Sequence, residues 1–157
     1  MALDLMRNVG KLDLMGWYRP CTRTDTFETM SHALTALVID DSKPAITAHC
    51  AMLKKLGYDV MACTNGKEGF DLLLERRFTV VLCDIEMPNM DGLEMIRRLR
   101  KLEADTPVDT PQVVICVSGR CGHNDNDAEA LEAGMDIFVR KPLKLSALSE
   151  MLAECVK

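Results

Sequence analysis

The feature that most constrains the fold is the run Val80-Val81-Leu82-Cys83-Asp84, followed by Ile85-Glu86-Met87-Pro88-Asn89-Met90-Asp91-Gly92. An apolar run stops at a carboxylate, and a turn rich in Pro, Asn, Asp and Gly follows. A strand that is apolar without alternation is covered on both faces, as the strands of parallel sheets are. Asp84 then stands at the carboxyl end of that strand. In open α/β sheets this is the edge where ligands bind. Packing alone explains an aspartate in that place poorly.

The rest of the chain alternates strand and helix from residue 34 onward. Strands are predicted over 36–39, 58–62, 79–83, 113–117 and 137–139. Helices are predicted over 42–56, 67–76, 93–102, 127–133 and 146–156. Ser42 is placed to cap the first helix, with Ile46, Cys50, Leu53 and Leu56 on its inner face and Gly57 closing it. Asn65-Gly66 is turn chemistry. Phe70, Leu73 and Leu74 turn inward from the second helix, Ile96 and Leu99 from the third, and Leu148, Met151 and Leu152 from the last. Residues 106–111 form a loop, and Gly134 ends the fourth helix. Five β/α units with short connections imply a parallel sheet with helices on both faces.

At 157 residues, 48% of them hydrophobic, the chain is one domain with a modest surplus and enough apolar material for a core. The net charge of −5 argues against a nucleic-acid partner, whose phosphates need Lys and Arg. No apolar run reaches the roughly 20 residues of a membrane helix, and the start lacks a secretory pattern. The seven cysteines, at 21, 50, 63, 83, 116, 121 and 155, form no Cys-x-x-Cys. Cys83 and Cys116 fall inside predicted strands, where free cysteine acts as a small apolar residue, and this suits a reducing compartment such as the cytoplasm. Cys121 and His123 make one metal-like pair, short of the four ligands of structural zinc.

Residues 1–33 differ from the rest. They hold the only tryptophan, Trp17, and balanced charges. Leu5, Val9 and Leu12 could line one helical face, although a loosely ordered extension is the favoured expectation. Met30 leaves room for a later start codon. Nothing follows residue 157, so a stand-alone domain without a carboxyl-terminal output module is expected.

Three further features fall at the carboxyl ends of predicted strands: Asp40-Asp41 after the first, Ser118-Gly119 after the fourth and Lys141-Pro142 after the fifth. Brought together with Asp84, they suit phosphoryl transfer to a carboxylate. Clustered aspartates invite a hard divalent cation, and Mg²⁺ takes oxygen ligands from one or two carboxylates. Such a cation lets an anionic phosphoryl group approach an anionic nucleophile. Asp84 can then form an aspartyl phosphate. Lys141 supplies a point positive charge and Ser118 a hydroxyl donor, while Gly119 leaves room for entry.

Val38-Ile39-Asp40-Asp41-Ser42, Asp84-x-x-Met87-Pro88-x-Met90-Asp91-Gly92, Val117-Ser118-Gly119 and Lys141-Pro142, in this order and spacing, resemble the receiver domain of two-component response regulators. The resemblance covers about residues 35–155. It implies a flavodoxin-like, doubly wound sheet of order 2-1-3-4-5. It implies Asp84 as phosphoacceptor, Asp41 as direct ligand of Mg²⁺ (or Mn²⁺), Asp40 acting through water, and Glu86 contributing its backbone carbonyl. Ser118 matches the switch hydroxyl, Phe138 the switch aromatic and Lys141 the lysine of the family, with the peptide before Pro142 often cis. The implied partners are a histidine kinase or a histidine-containing phosphotransfer protein. By the resemblance, Glu86 and Arg120 should flank the path of the hydrolytic water and modulate the phosphate's lifetime. Residues 132–136 look more like receivers attached to hybrid histidine kinases than like those of DNA-binding regulators. Gly119 departs from the small alkyl residue usual in the family, and residues 120–127 are unusually polar.

Blander readings exist for each group. Asp40 and Asp41 could simply favour a helix start. Asp91-Gly92 reads as only a turn, and His32, His49 and His123 as surface or helix-packing residues. Joint occurrence at four strand ends favours the functional reading over these, and the leading hypothesis is a signalling module. A haloacid-dehalogenase-like, Mg-dependent phosphatase is the alternative, but it needs Asp-x-Asp after the first strand, and Asp40-Asp41 are adjacent. A pseudo-receiver acting as a binding scaffold is a second alternative, against which the complete acidic, Ser and Lys positions argue.

Overall fold

The computed structural model describes residues 34–106, 110–119 and 125–155. The expectations for residues 1–33, Arg120, Cys121 and His123 lie outside the described residues. Five parallel strands, β1 (Thr35–Ile39), β2 (Asp59–Cys63), β3 (Val80–Cys83), β4 (Val114–Ser118) and β5 (Ile137–Arg140), stand in the order β2-β1-β3-β4-β5. They alternate with α1 (Lys43–Lys55), α2 (Gly66–Glu75), α3 (Gly92–Asp105), α4 (Asp125–Ala133) and α5 (Leu145–Cys155). The flavodoxin-like, doubly wound architecture expected from the sequence is the observed one. Among the described residues no helix is long and apolar enough to cross a membrane.

The strand period of two divides the core into two layers. Ala36, Val38, Val80, Leu82, Ile115 and Val117 pack with Leu53 of α1 and with Leu148 and Leu152 of α5. Leu37, Ile39, Val81, Cys83, Val114 and Cys116 face the other way, onto Leu73 of α2, Leu93, Ile96 and Leu99 of α3, and Ala130 and Ala133 of α4. Every residue of β3 and β4 is buried, which is why both read as unbroken apolar runs. The strand order reverses direction between β1 and β3, and this opens a crevice above their carboxyl ends.

Two local expectations need correction. Ser42 stands at the cap position of α1, but its side chain accepts no capping hydrogen bond; its own N–H donates to Asp40 Oδ1 at 2.9 Å. Ile46, Cys50 and Leu53 of α1, with Leu56 just past its end, pack on the core as expected, and His49 is buried as well. Asp91-Gly92 is more than a turn. Asp91 caps α3 by accepting the Glu94 N–H at 2.7 Å, and Gly92 is buried. Gly57 (φ +88) and Gly134 (φ +107) close α1 and α4 as expected, in the left-handed region that favours glycine.

At the opposite, amino-terminal edge of the sheet the chain is tied by a polar network. Arg100 donates to the Gly134 carbonyl (2.8 Å), Glu103 (2.7 Å), the Gln112 carbonyl (2.9 Å) and Asp136 (2.9 Å). Asp136 also accepts the Val114 N–H at 2.7 Å, and Glu103 accepts that of Gln112 at 2.7 Å. The Gln112 carboxamide grips Phe78 at both ends, accepting its N–H at 3.1 Å and donating to its carbonyl at 2.7 Å. These bonds fix the starts of β3, β4 and β5, so that chemistry can be left to their carboxyl ends.

Candidate functional site

Strand β1 ends at Ile39 and β3 at Cys83, which are register partners. The next residues, Asp40 and Asp84, therefore emerge side by side. The Asp84 N–H donates to the Ile39 carbonyl at 2.8 Å, one step beyond the ladder. Both aspartates are buried, at 1% and 7% exposure, whereas Asp41 is exposed. Carboxylate oxygens of Asp40, Asp41 and Asp84 lie within 4.8 Å of one another.

Two carboxylates out of water need compensation. Lys141 provides it from the end of β5. Its ammonium donates to Asp40 Oδ2 at 2.6 Å and to Asp84 Oδ2 at 2.7 Å. Burial alone would lower the lysine's pKa, but these hydrogen bonds and the two carboxylate charges outweigh it and hold the ammonium above its ordinary value. The Lys141 N–H donates to the Ser118 carbonyl at 2.9 Å, and the Lys141-Pro142 peptide is cis. The remaining oxygens of the pair are held by main-chain donors: Ser42 N–H on Asp40 Oδ1, and Ile85 N–H on Asp84 Oδ1 at 2.7 Å.

Ser118 is the last residue of β4 and is buried. Phe138, on β5, is the register partner of Cys116 and is half-buried against the layer that carries α4. Cys116 and Ser118 are two apart on one strand, so Ser118 and Phe138 share that face of the sheet. Glu86 is exposed on the loop two residues past Asp84. Gly119 is exposed, and a Cβ there would meet only Lys141 Cδ, at 3.7 Å. The structure thus brings Asp40, Asp41, Asp84 and Lys141 into one cluster and sets Ser118 beside it through the Lys141 backbone.

Sequence reasoning missed several contributors. His49, buried on α1, lies within electrostatic reach of the cluster. Burial pushes its imidazole below the ordinary value; Lys141 acts in the same direction, while Asp40 and Asp84 oppose. Cys63, Ile39, Cys83, Cys116 and Phe138 form one row across the sheet, a layer below the aspartates. Burial raises the Cys83 thiol well above its ordinary pKa and Cys63 to about 12, so both stay protonated. Gly92 and Gly66 hold the loop that frames the site. A Cβ on Gly92 would overlap the Asp84 carbonyl oxygen, and one on Gly66 the Met90 carbonyl. The only sequence signal for either was glycine beside a turn residue.

Three carboxylates with oxygens this close, one of them exposed, are the hard-donor set that a small divalent cation takes. Asp40, Asp41 and Asp84 fit such an ion.

Comparison with known proteins agrees with this geometry. The sequence model of the response regulator receiver domain matches residues 36–153. The chain is 34% identical over 120 residues to two-component response regulator 24 of Arabidopsis thaliana, covering 76% of this chain and 81% of that protein. It is 33% identical over 116 residues to hybrid signal transduction histidine kinase F of Dictyostelium discoideum, covering 74% of this chain but only 10% of that protein. Among solved structures, the receiver domain of a Pseudomonas aeruginosa sensor histidine kinase, with magnesium coordinated in its active-site cleft, superposes with a TM-score of 0.69. It is 26% identical, and the match covers 79% of this chain and 98% of that one.

Proposed function

Because the chain belongs to the response regulator receiver domain family of two-component signalling, we propose that Asp84 accepts a phosphoryl group from a phosphohistidine and that this alters the chain's partner-binding surface. The observation that carries the proposal is the placement of Asp84. Its carboxylate is buried beside two others and pinned by a lysine at 2.7 Å. The donor would be a histidine kinase or a histidine-containing phosphotransfer protein, in keeping with the histidine kinases among the chain's relatives.

In this reading an Asp84 oxygen forms the new bond to phosphorus as the N–P bond of the phosphoimidazole breaks. The departing imidazole keeps that electron pair and takes a proton from solvent. Oδ1 is engaged by the Ile85 N–H, so Oδ2 is the oxygen facing the cluster. Lys141 moves its ammonium from Oδ2 to a phosphoryl oxygen, and the Ser118 hydroxyl donates to another. Asp41, Asp84, the Glu86 carbonyl and, through water, Asp40 would hold Mg²⁺ or Mn²⁺, which supplies charge neutralisation as the phosphoryl group transfers. Movement of Ser118 toward the acceptor frees space on the face it shares with Phe138, and the aromatic ring turns inward. This is a local charge event biasing a two-state element. Glu86 and Arg120 are the proposed modulators of phosphate lifetime.

The dehalogenase-like alternative places its nucleophile after β1. Here Lys141 bridges Asp40 to the aspartate after β3 instead. The test is mass spectrometry of the intact chain after incubation with acetyl phosphate and Mg²⁺. One added phosphoryl group is expected, absent in Asp84→Asn. Equal labelling of that variant would overturn the assignment, and an unlabelled wild type would favour the pseudo-receiver.

A further inference from the structure

We propose that the Cys83 thiol positions the Asp84 carboxylate, acting through the peptide that joins residues 84 and 85. The inference rests on the reading of Asp84 as phosphoryl acceptor. It would make Cys83 a positioning residue for that reaction.

The argument starts from one peptide unit held at both ends. The fully buried Cys83 thiol donates to the Asp84 carbonyl oxygen at 3.1 Å. At the other end of the same peptide, the Ile85 N–H donates to Asp84 Oδ1 at 2.7 Å. Gly92 closes the remaining side. A Cβ there would overlap the same carbonyl oxygen and would stand 3.1 Å from Cys83 Sγ, so glycine lets helix α3 start directly against this peptide. The Gly92 N–H donates to the Ile85 carbonyl at 2.9 Å. The peptide plane therefore has little freedom to rotate.

Two hydrogen bonds on one peptide reinforce each other, because accepting at the carbonyl polarises the N–H. The path runs from thiol to carbonyl, and from amide to Oδ1. It ends by making the two carboxylate oxygens unequal. Oδ1 is tied to the main chain, and Oδ2 faces Lys141 at 2.7 Å. A thiol is a weak donor, which makes the effect modest. Its importance lies in position, on the carbonyl of the one peptide whose N–H holds Asp84 Oδ1.

The competing explanation is that Cys83 is a small apolar filler of the core. Substitution separates the two because they rank the variants oppositely. Cys83→Ser keeps a donor, whereas Cys83→Ala removes it. A filler tolerates Ala at least as well as Ser, whose hydroxyl is costly in an apolar layer.

The experiment uses the full chain as wild type, Cys83→Ser and Cys83→Ala. It measures the rate of phosphorylation by acetyl phosphate with Mg²⁺, the thermal midpoint, and the amide proton shift of Ile85 by NMR. Expected is a loss of roughly three- to ten-fold in rate for Cys83→Ala, the range a hydrogen bond's net contribution spans. The Ile85 amide proton should move upfield in that variant, and Cys83→Ser should stay close to wild type in both readouts. Equal or faster phosphorylation of Cys83→Ala than of Cys83→Ser, with Ile85 unmoved, overturns the proposal. If Cys83→Ala does not fold, Cys83→Val serves as the donor-free variant. If wild type takes no phosphoryl group, the acceptor reading fails by itself. The Ile85 amide then decides the thiol's role alone: an upfield shift in the donor-free variant supports it, and none refutes it.

Discussion

Replacing Gly92 with alanine tests whether helix α3 truly abuts the Asp84 peptide. The added methyl would lie under 3.0 Å from the Asp84 carbonyl oxygen, a separation real Cβ atoms essentially never show, and 3.1 Å from Cys83 Sγ. The oxygen it meets is backbone, held by its neighbours' hydrogen bonds, so it cannot swing aside as a side chain would. Overpacking of this kind costs up to about 3 kcal/mol. Weakening the Cys83–Asp84 and Gly92–Ile85 hydrogen bonds adds about 1 kcal/mol more. Removing glycine from the first turn of a helix returns at most about 1 kcal/mol. The net loss is about 3 kcal/mol, or roughly 10 °C in Tm for a domain of this size. Gly119→Ala is the matched control. Its methyl would make only an ordinary contact, 3.7 Å from Lys141 Cδ, and it should be neutral or up to about 1 kcal/mol stabilising. Urea unfolding followed by circular dichroism measures both. A Gly92→Ala variant within about 0.5 kcal/mol of wild type would show that the close approach is not maintained in solution, and would remove the packing basis for a fixed 84–85 peptide.

Three other outcomes are expected. Arg100→Met should cost about 2–3 kcal/mol in urea unfolding, because Glu103, Asp136 and two carbonyls lose one shared donor; Asp136→Asn on top of it should cost less than it does alone, and strict additivity would refute the network. His49 has a lowered folded pKa, so its stabilisation is present above the ordinary value of 6.5 and is lost as pH falls toward the folded value. His49→Leu should flatten the fall of Tm between about pH 7 and 5, and an unchanged slope would exclude His49 as its source. Lys141→Met leaves Asp40 and Asp84 facing each other without their cation; calorimetry should show Mg²⁺ binding at least roughly ten-fold tighter, and unchanged affinity would mean that the ammonium and the metal do not share ligands.

The fold was legible because both faces of β3 and β4 are covered, which writes them as unbroken apolar runs. The aspartates were legible for a related reason: a carboxylate that ends such a run has no packing role. What stayed hidden was mostly polar. Periodicity assigns a charged helical residue to solvent, so Arg100 gave no sign that it ties the starts of β4 and β5 together. Gln112 likewise stands in for a rung of the sheet with its side chain, which no pattern of residue types encodes. On α1 the sequence left His49 open between surface and helix packing, and the imidazole is buried. Contacts such as that of Gly92 with Asp84 depend on how a loop closes. Here Asn89 sits at φ 68, a left-handed backbone state inside that loop.

The charge pattern of the cluster explains why its members are not interchangeable. Three carboxylates with oxygens within 4.8 Å of one another share one ammonium, which bonds Asp40 and Asp84, and this leaves two formal negative charges unbalanced. A second lysine could not correct this, since each ammonium brings one charge on a long stem and needs its own room. A divalent ion brings two charges to one point. Like charges about 4 Å apart repel by about 4 kcal/mol at the effective dielectric of a protein surface, so a phosphoryl group meeting the uncorrected cluster would be turned away several times over. Lys141 is suited to the other half of the task. In the proposed reaction its ammonium, on a long stem with three donors, would leave Asp84 Oδ2 for an arriving oxygen while keeping its bond to Asp40. The exposed position of Asp41 fits this division. It keeps one carboxylate in contact with water, where it would be open to a hydrated cation, while the two buried carboxylates share the lysine.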